Sequence, residues 1–240
     1  MKSTCIFPFS LGLLLVAFAQ TARGQTSFQN LDFESASLGP SPPGLNFVPI
    51  SAALPGWTGY FGAGPATQVL QNDYTLGEAS IDILGPNWPT TYGVGTIAGS
   101  FTVMIQAGGD PTNSSIGVNA SIAQSGTIPA NTESLQFQAS ELFGGNNFSV
   151  SFAGNSLSPI LFSSGQSPSG QPYNVYGVDV SAFAVQTGQF EFTSIFNPSD
   201  PSLLLDNISF SPTPVPEPAV TALLVTGGFI LGFNHWRVRR

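Results

Sequence analysis

Two short stretches, Leu135-Gln136-Phe137-Gln138-Ala139 and Phe148-Ser149-Val150-Ser151-Phe152, place an apolar residue at every second position. That period belongs to a β-strand, whose side chains point alternately to opposite faces, and not to a helix. The expectation is one packed face and one wet face. The same alternation recurs in Ile81-Asp82-Ile83, Phe101-Thr102-Val103-Met104-Ile105, Val178-Asp179-Val180 and Phe190-Glu191-Phe192-Thr193. Turn-forming clusters separate these runs: Gly108-Gly109-Asp110-Pro111, Gly144-Gly145-Asn146-Asn147, Ser167-Pro168-Ser169-Gly170 and Asn197-Pro198-Ser199-Asp200-Pro201. The Pro-rich stretch from Ala36 to Leu54 reads as a long loop. There is no internal repeat and no amphipathic helix of useful length. Many short strands divided by turns predict an all-β fold, an antiparallel β-sandwich over residues 25–211.

Charge placement narrows the chemistry. The chain of 240 residues has a formal net charge of −8, with five basic residues: Lys2, Arg23, Arg237, Arg239 and Arg240. None of these lies between Gln25 and Pro216, and Cys5 and His235, the single cysteine and histidine, also fall outside that span. The central domain therefore cannot build a Ser-His-Asp or Cys-His nucleophile pair, a His/Cys zinc site or a disulfide. It has no cation with which to neutralise phosphates, so nucleic acid is not an expected partner. What composition leaves open is calcium, whose ligands are oxygens, and a glycosidase built from carboxylates alone. No Asp or Glu stands in a context that marks it as a catalytic acid, and the expectation is a non-catalytic protein.

The two ends read as targeting segments. Residues 1–24 hold a charged start, an apolar run from Ile6 to Ala19 and small residues suited to signal peptidase, either Ala17-Phe18-Ala19 or Ala22-Arg23-Gly24. The other reading of this run is an uncleaved anchor. At the far end, Pro212 to Pro218 is a stiff polyproline-like run, Pro-Thr-Pro-Val-Pro-Glu-Pro. Residues 219–236 follow, apolar as far as Phe233 and closed by Trp236, and would make a helix of about 27 Å, enough to cross a hydrocarbon core of about 30 Å. The tail 237–240 supplies the cytoplasmic arginines expected by the positive-inside rule. Export at one end and a span at the other put the domain between them outside the cytoplasm.

Val215-Pro216-Glu217-Pro218, one span and the cluster Arg237, Arg239 and Arg240 resemble the PEP-CTERM sorting signal of bacterial surface proteins. The resemblance implies an exosortase as processing partner. It also implies inner-membrane anchoring before processing, then a cell-surface or extracellular location, and an association with exopolysaccharide.

Within the central domain a series of local signatures falls in order. Asn30-Leu31-Asp32-Phe33-Glu34 is followed by Leu54-Pro55-Gly56-Trp57, then by Ile122 to Ala130 leading into Ser134-Leu135-Gln136-Phe137. Asp179 to Thr187 and Leu204-Leu205-Asp206-Asn207-Ile208-Ser209-Phe210 complete it. The series resembles the galactose-binding-like jelly-roll domains of carbohydrate-binding modules, with Ala-Val-Gln-Thr at 184–187 where that family has Ala-Gly-Gln-Thr. The resemblance implies a jelly-roll β-sandwich and a structural calcium held by Glu34 and Asp206. The residues themselves equally allow two solvated carboxylates at strand ends without metal. For glycan, Trp88 in the loop Gly85-Pro86-Asn87-Trp88-Pro89, with Tyr92 beside it, is the candidate platform, its alternative being a ring packed over the sheet. Trp57 reads as a core anchor. Two roles follow: a matrix protein associated with extracellular polysaccharide, or a carbohydrate-binding module with a defined glycan site.

Overall fold

The computed structural model describes residues 27–40, 46–88, 93–142 and 147–216. Residues 1–24, Tyr92, Glu217, Pro218, the apolar stretch 219–236 and Arg237, Arg239 and Arg240 lie outside the described residues; Val215 and Pro216 lie within them. Among the described residues no helix is long and apolar enough to cross a membrane.

The strands in chain order begin with β1 (Phe47–Pro49), β2 (Thr58–Phe61), β3 (Gly64–Ala66), β4 (Gln68–Gln71), β5 (Ser80–Leu84) and β6 (Thr102–Gln106). Next come β7 (Gly108–Asp110), β8 (Asn113–Val118), β9 (Ala120–Thr127), β10 (Ser134–Leu142) and β11 (Phe148–Phe152). The last are β12 (Asn155–Leu157), β13 (Ile160–Gln166), β14 (Pro172–Asp179), β15 (Thr187–Ser194) and β16 (Ser202–Ser211). They form a larger sheet, β1-β4-β5-β6-β16-β10-β14-β13, a smaller sheet, β12-β11-β15-β9-β2-β3, and a separate β7-β8 hairpin. Along the chain β9, β11 and β15 enter the smaller sheet while β10, β14 and β16 return to the larger one, so successive strands build both layers of one sandwich.

Alternation does what the sequence predicts in the interior. Leu135, Phe137 and Ala139 of β10 face Val150, Phe152, Phe190 and Phe192 of the smaller sheet in a single core. Phe137 meets Phe192 edge-on at 5.2 Å between ring centroids, and Phe152 and Phe190 approach to 4.6 Å. Trp57 is also in this core, with Phe33 at 5.6 Å and its indole N–H donating to Asn30 O at 3.0 Å. Burial of such rings contributes about 1.5–3 kcal/mol each and has no disulfide to assist it.

Four expectations need correction. The sandwich is not wholly antiparallel, because β4 and β5 pair in parallel at Leu70↔Asp82 and Gln71↔Ile83. The stretch 36–54 is not all loop: β1 and a one-turn helix, α1 (Ile50–Ala53), fall inside it, since Val48 and Ile50 pack on the core. Gly108-Gly109-Asp110 is a strand rather than a turn. A Cβ at Gly108 would meet backbone at 2.7 Å from the Glu78 carbonyl carbon, so glycine is there for close strand approach. Finally, the outer face of the larger sheet is not uniformly wet. Leu84, Trp88, Ile97, Met104 and Leu204 form a second apolar cluster on it. Asp82, predicted on the wet side, shares that face and is fully buried. Burial pushes its carboxyl well above the ordinary range; Ser80 donates to Oδ2 at 2.8 Å, and Oδ1 has no hydrogen-bond partner.

Candidate functional site

The predicted acidic pair is brought together at the turn preceding β6. Glu34 reaches from the exposed N-terminal segment, and its Oε1 accepts the backbone N–H of Ser100 at 2.7 Å and of Phe101 at 2.9 Å. Asp206 sits on β16 and is 1% exposed. Its Oδ2 accepts the Thr102 hydroxyl at 2.6 Å and the Ala98 N–H at 3.0 Å, and its Oδ1 accepts the Asn207 N–H at 2.7 Å. Burial raises the Asp206 carboxyl to about 7 against these lowering hydrogen bonds, and the charge of Glu34 adds to the rise. The positive φ angles of Phe33 (58°) and Asn207 (48°) belong to the bends that aim both carboxylates at this turn.

The donor set is compatible with a calcium ion. A carboxylate offers about four lone-pair positions; Asp206 uses three and Glu34 two in the bonds above. Directly across from Asp206 on β10 stands Gln138, whose Oε1 is buried without a hydrogen-bond partner. These are hard oxygen donors with no cationic side chain anywhere in residues 25–216 to compete. Among the described residues no three His, Cys, Asp or Glu side chains cluster at metal distance, so the remaining ligands would be backbone carbonyls and water.

Of the two readings of Trp88, an open platform or a ring packed over the sheet, the structure shows the packed ring. It is 7% exposed, packs in the outer-face cluster, lies 6.1 Å from the Tyr74 ring and donates its indole N–H to Val94 O at 2.7 Å. The reason is that Leu84, Met104 and Leu204 project outward from the larger sheet and the tryptophan covers them. Its partner in the prediction, Tyr92, lies outside the described residues.

Two clefts flank this cluster. One, of about 340 Å³, is lined by Ser140, Glu141, Ser164, Gly165, Tyr173 and Asn174, with Ala139 and Pro172. It opens where the β10–β14 register stops at Ala139↔Asn174 while β10 runs on to Leu142. Half-buried Tyr173 lies over Gly165, its cross-strand partner, where a Cβ would come 2.7 Å from Cζ. On the opposite, core-facing side of these strands a hydrogen-bond chain links their ends: Ser164 Oγ donates to Asn174 Oδ1 at 2.7 Å, Asn174 Nδ2 to the Tyr176 hydroxyl at 3.2 Å, and that hydroxyl to Glu141 Oε1 at 2.8 Å. The second cleft, of about 260 Å³, lies between Gly85-Pro86, Trp88, residues 93–96 and Ser169-Gly170-Gln171. A third, of about 250 Å³, is walled mainly by Phe47, Phe61, Pro65, Val69, Leu70 and Ile81.

Sequence reasoning did not select Tyr173, Asn174 or Glu141. Tyr173 follows the turn at 167–170, which marks a strand start, but nothing local shows that β10 and β14 part at this level.

The raised Asp206 carboxyl fixes a pH response. Its folded-state value lies above the unfolded one, so its stabilising contribution is complete below about pH 4 and is lost as pH rises toward and through about 7. Urea unfolding of wild type and Asp206→Asn across pH 4–8 should differ in slope by up to about 1.4 kcal/mol per pH unit in that window, wild type being the one that weakens. Parallel curves would show that Asp206 titrates as an ordinary carboxyl.

No family model matches this chain, and no curated protein matches it. Among solved structures it is similar to TmCBM61 in complex with beta-1,4-galactotriose, at 10% sequence identity and a TM-score of 0.35, over 78% of this chain and 98% of that one.

Proposed function

We propose that this chain is a non-catalytic, exported surface or matrix protein whose β-sandwich binds a neutral polysaccharide in the Tyr173 cleft. The observation that carries the reading is the composition of that cleft: one aromatic ring, Tyr173, on the same sheet face as the Ser140 hydroxyl, at the level where β10 and β14 part. Sugars present apolar C–H faces edged by hydroxyls, and such a wall offers a surface for the first and partners for the second. The absence of Lys and Arg from residues 25–216 disfavours acidic glycans and nucleic acid. Tyr173→Ala should lower affinity for a bound neutral polysaccharide at least about tenfold, the loss of roughly 1.4 kcal/mol. Ser140→Ala should weaken it less. Affinity electrophoresis against neutral and acidic polysaccharides reads both, and retention by polygalacturonate rather than by any neutral polymer would refute the assignment.

The same reading places a calcium ion at Glu34, Asp206 and Gln138, where it would supply charge neutralisation and no chemistry. Calcium at a hundredfold excess over its dissociation constant should add about 2.7 kcal/mol of stability. The gain should vanish in Glu34→Gln, and coincident melting curves with calcium and with chelator would exclude the site.

Signal peptidase and exosortase are the proposed processing partners, with the C-terminal stretch as membrane anchor until cleavage. The Val215-Pro216-Glu217-Pro218 run supports this. Mass spectrometry of the mature protein from a strain with active exosortase should find the chain ending near Pro218. A C-terminus intact through Arg240 on all mature protein would refute it.

A further inference from the structure

The two clefts on either side of Gln171 adjoin. Gln171 lines one and its chain neighbour Pro172 lines the other. Gln171 Nε2 donates to Ser140 Oγ, in the Tyr173 cleft, at 3.0 Å, and its Oε1 accepts the N–H of Gly95, in the second cleft, at 3.0 Å. The side chain is 4% exposed, and its backbone N–H is held by Ser167 Oγ at 3.1 Å. The divide is therefore a fixed, satisfied amide rather than a movable side chain. Ser169 pins the opposite wall by donating to Thr96 O at 3.0 Å.

We infer that the second cleft is a further glycan subsite, so that the ligand is an internal or terminal stretch of a chain several sugars long, laid across Gln171, and not a monosaccharide. This rests on the reading of the Tyr173 cleft as a glycan site. Ligand pockets usually span about 300–1,000 Å³. Separately the clefts, at about 340 and 260 Å³, lie just above and just below the lower bound; together they fall well inside it. Among the described residues the second cleft carries no ionisable side chain: its polar groups are the Trp88 indole N–H, Thr96, Ser169, Gln171 and backbone. It suits hydroxyls and not a carboxylate or an amine. Occupation of a linked neighbouring site adds affinity by raising the effective concentration of the second sugar.

The test is calorimetry of the purified 25–216 region and of the full secreted chain with neutral gluco-, manno-, xylo- and galacto-oligosaccharides of one to six units. For a bound series, affinity should rise about tenfold or more between two and four units and then level. Thr96→Trp, which fills the second cleft, should abolish the rise while leaving disaccharide affinity within about twofold. Ser169→Trp is the second filling variant, should Thr96→Trp fail to fold by circular dichroism. Tyr173→Ala should weaken every length. Binding that depends on Tyr173 but is flat with chain length, or that rises equally in a folded filled variant, would overturn the second subsite alone. Failure of every series to bind, or binding indifferent to Tyr173, would overturn the primary assignment and this one with it.

Discussion

The fold depends on the contact between two layers of phenylalanine. Phe137 projects from the larger sheet onto Phe192 of the smaller one, and Phe152, Phe190 and Phe33 extend the same apolar seam. Residues 25–216 contain no cysteine and no basic residue, so neither a disulfide nor a side-chain ion pair can share the work. Aromatic rings suit the task because each removes a large apolar area from water and pairs of them gain from edge-to-face packing. Strand pairing then supplies hydrogen-bond satisfaction, and the sheets' edges and connections are left to carry binding groups.

The same lack of cations governs the carboxylates. An acidic side chain drawn inside this domain has three ways to be tolerated: backbone N–H donors, a proton or a bound metal. Glu34 at the surface is met by two amides; Asp206 takes three donors and is still pushed to about 7. Asp82 has one hydroxyl donor and is pushed well up. Both rises, at Asp206 and at Asp82, come first from burial, as expected when desolvation opposes the charged form and no Lys or Arg offsets it.

The larger sheet shows how a sandwich acquires clefts on its outer face from one long connection, residues 85–101 between β5 and β6. Its outer face carries Leu84, Met104 and Leu204, and covering them recruits Trp88 and the segment near Val94. The cover is anchored at Gly95 by Gln171, beside the level at which β10 and β14 separate. Clefts arise on both sides of that anchor because side chains needed for the apolar patch do not extend over the whole sheet.

By itself the sequence determined the fold class and most strands. Alternation at 135–139, 148–152 and 190–193 has a period that only a strand satisfies, and each segment is a strand in the structure. It also determined what chemistry the domain lacks, since missing residue types cannot be restored by folding. The Glu34–Asp206 neighbourhood was legible only through resemblance, and Trp57 as a core residue through its size. Tertiary structure alone decided the rest. Ile81-Asp82-Ile83 looks half-wet because alternation reports two faces but not what covers each; the outer-face cluster buries Asp82. Whether Trp88 is open or packed was undecided in the sequence because a loop between prolines does not show the apolar patch beneath it. Tyr173 and Ser140 share one face, and Glu141 and Asn174 the other, through the pairing of β10, β13, β14 and β16, strands separated by up to dozens of residues, and register between such strands is set by packing of the whole sandwich rather than by any local signal.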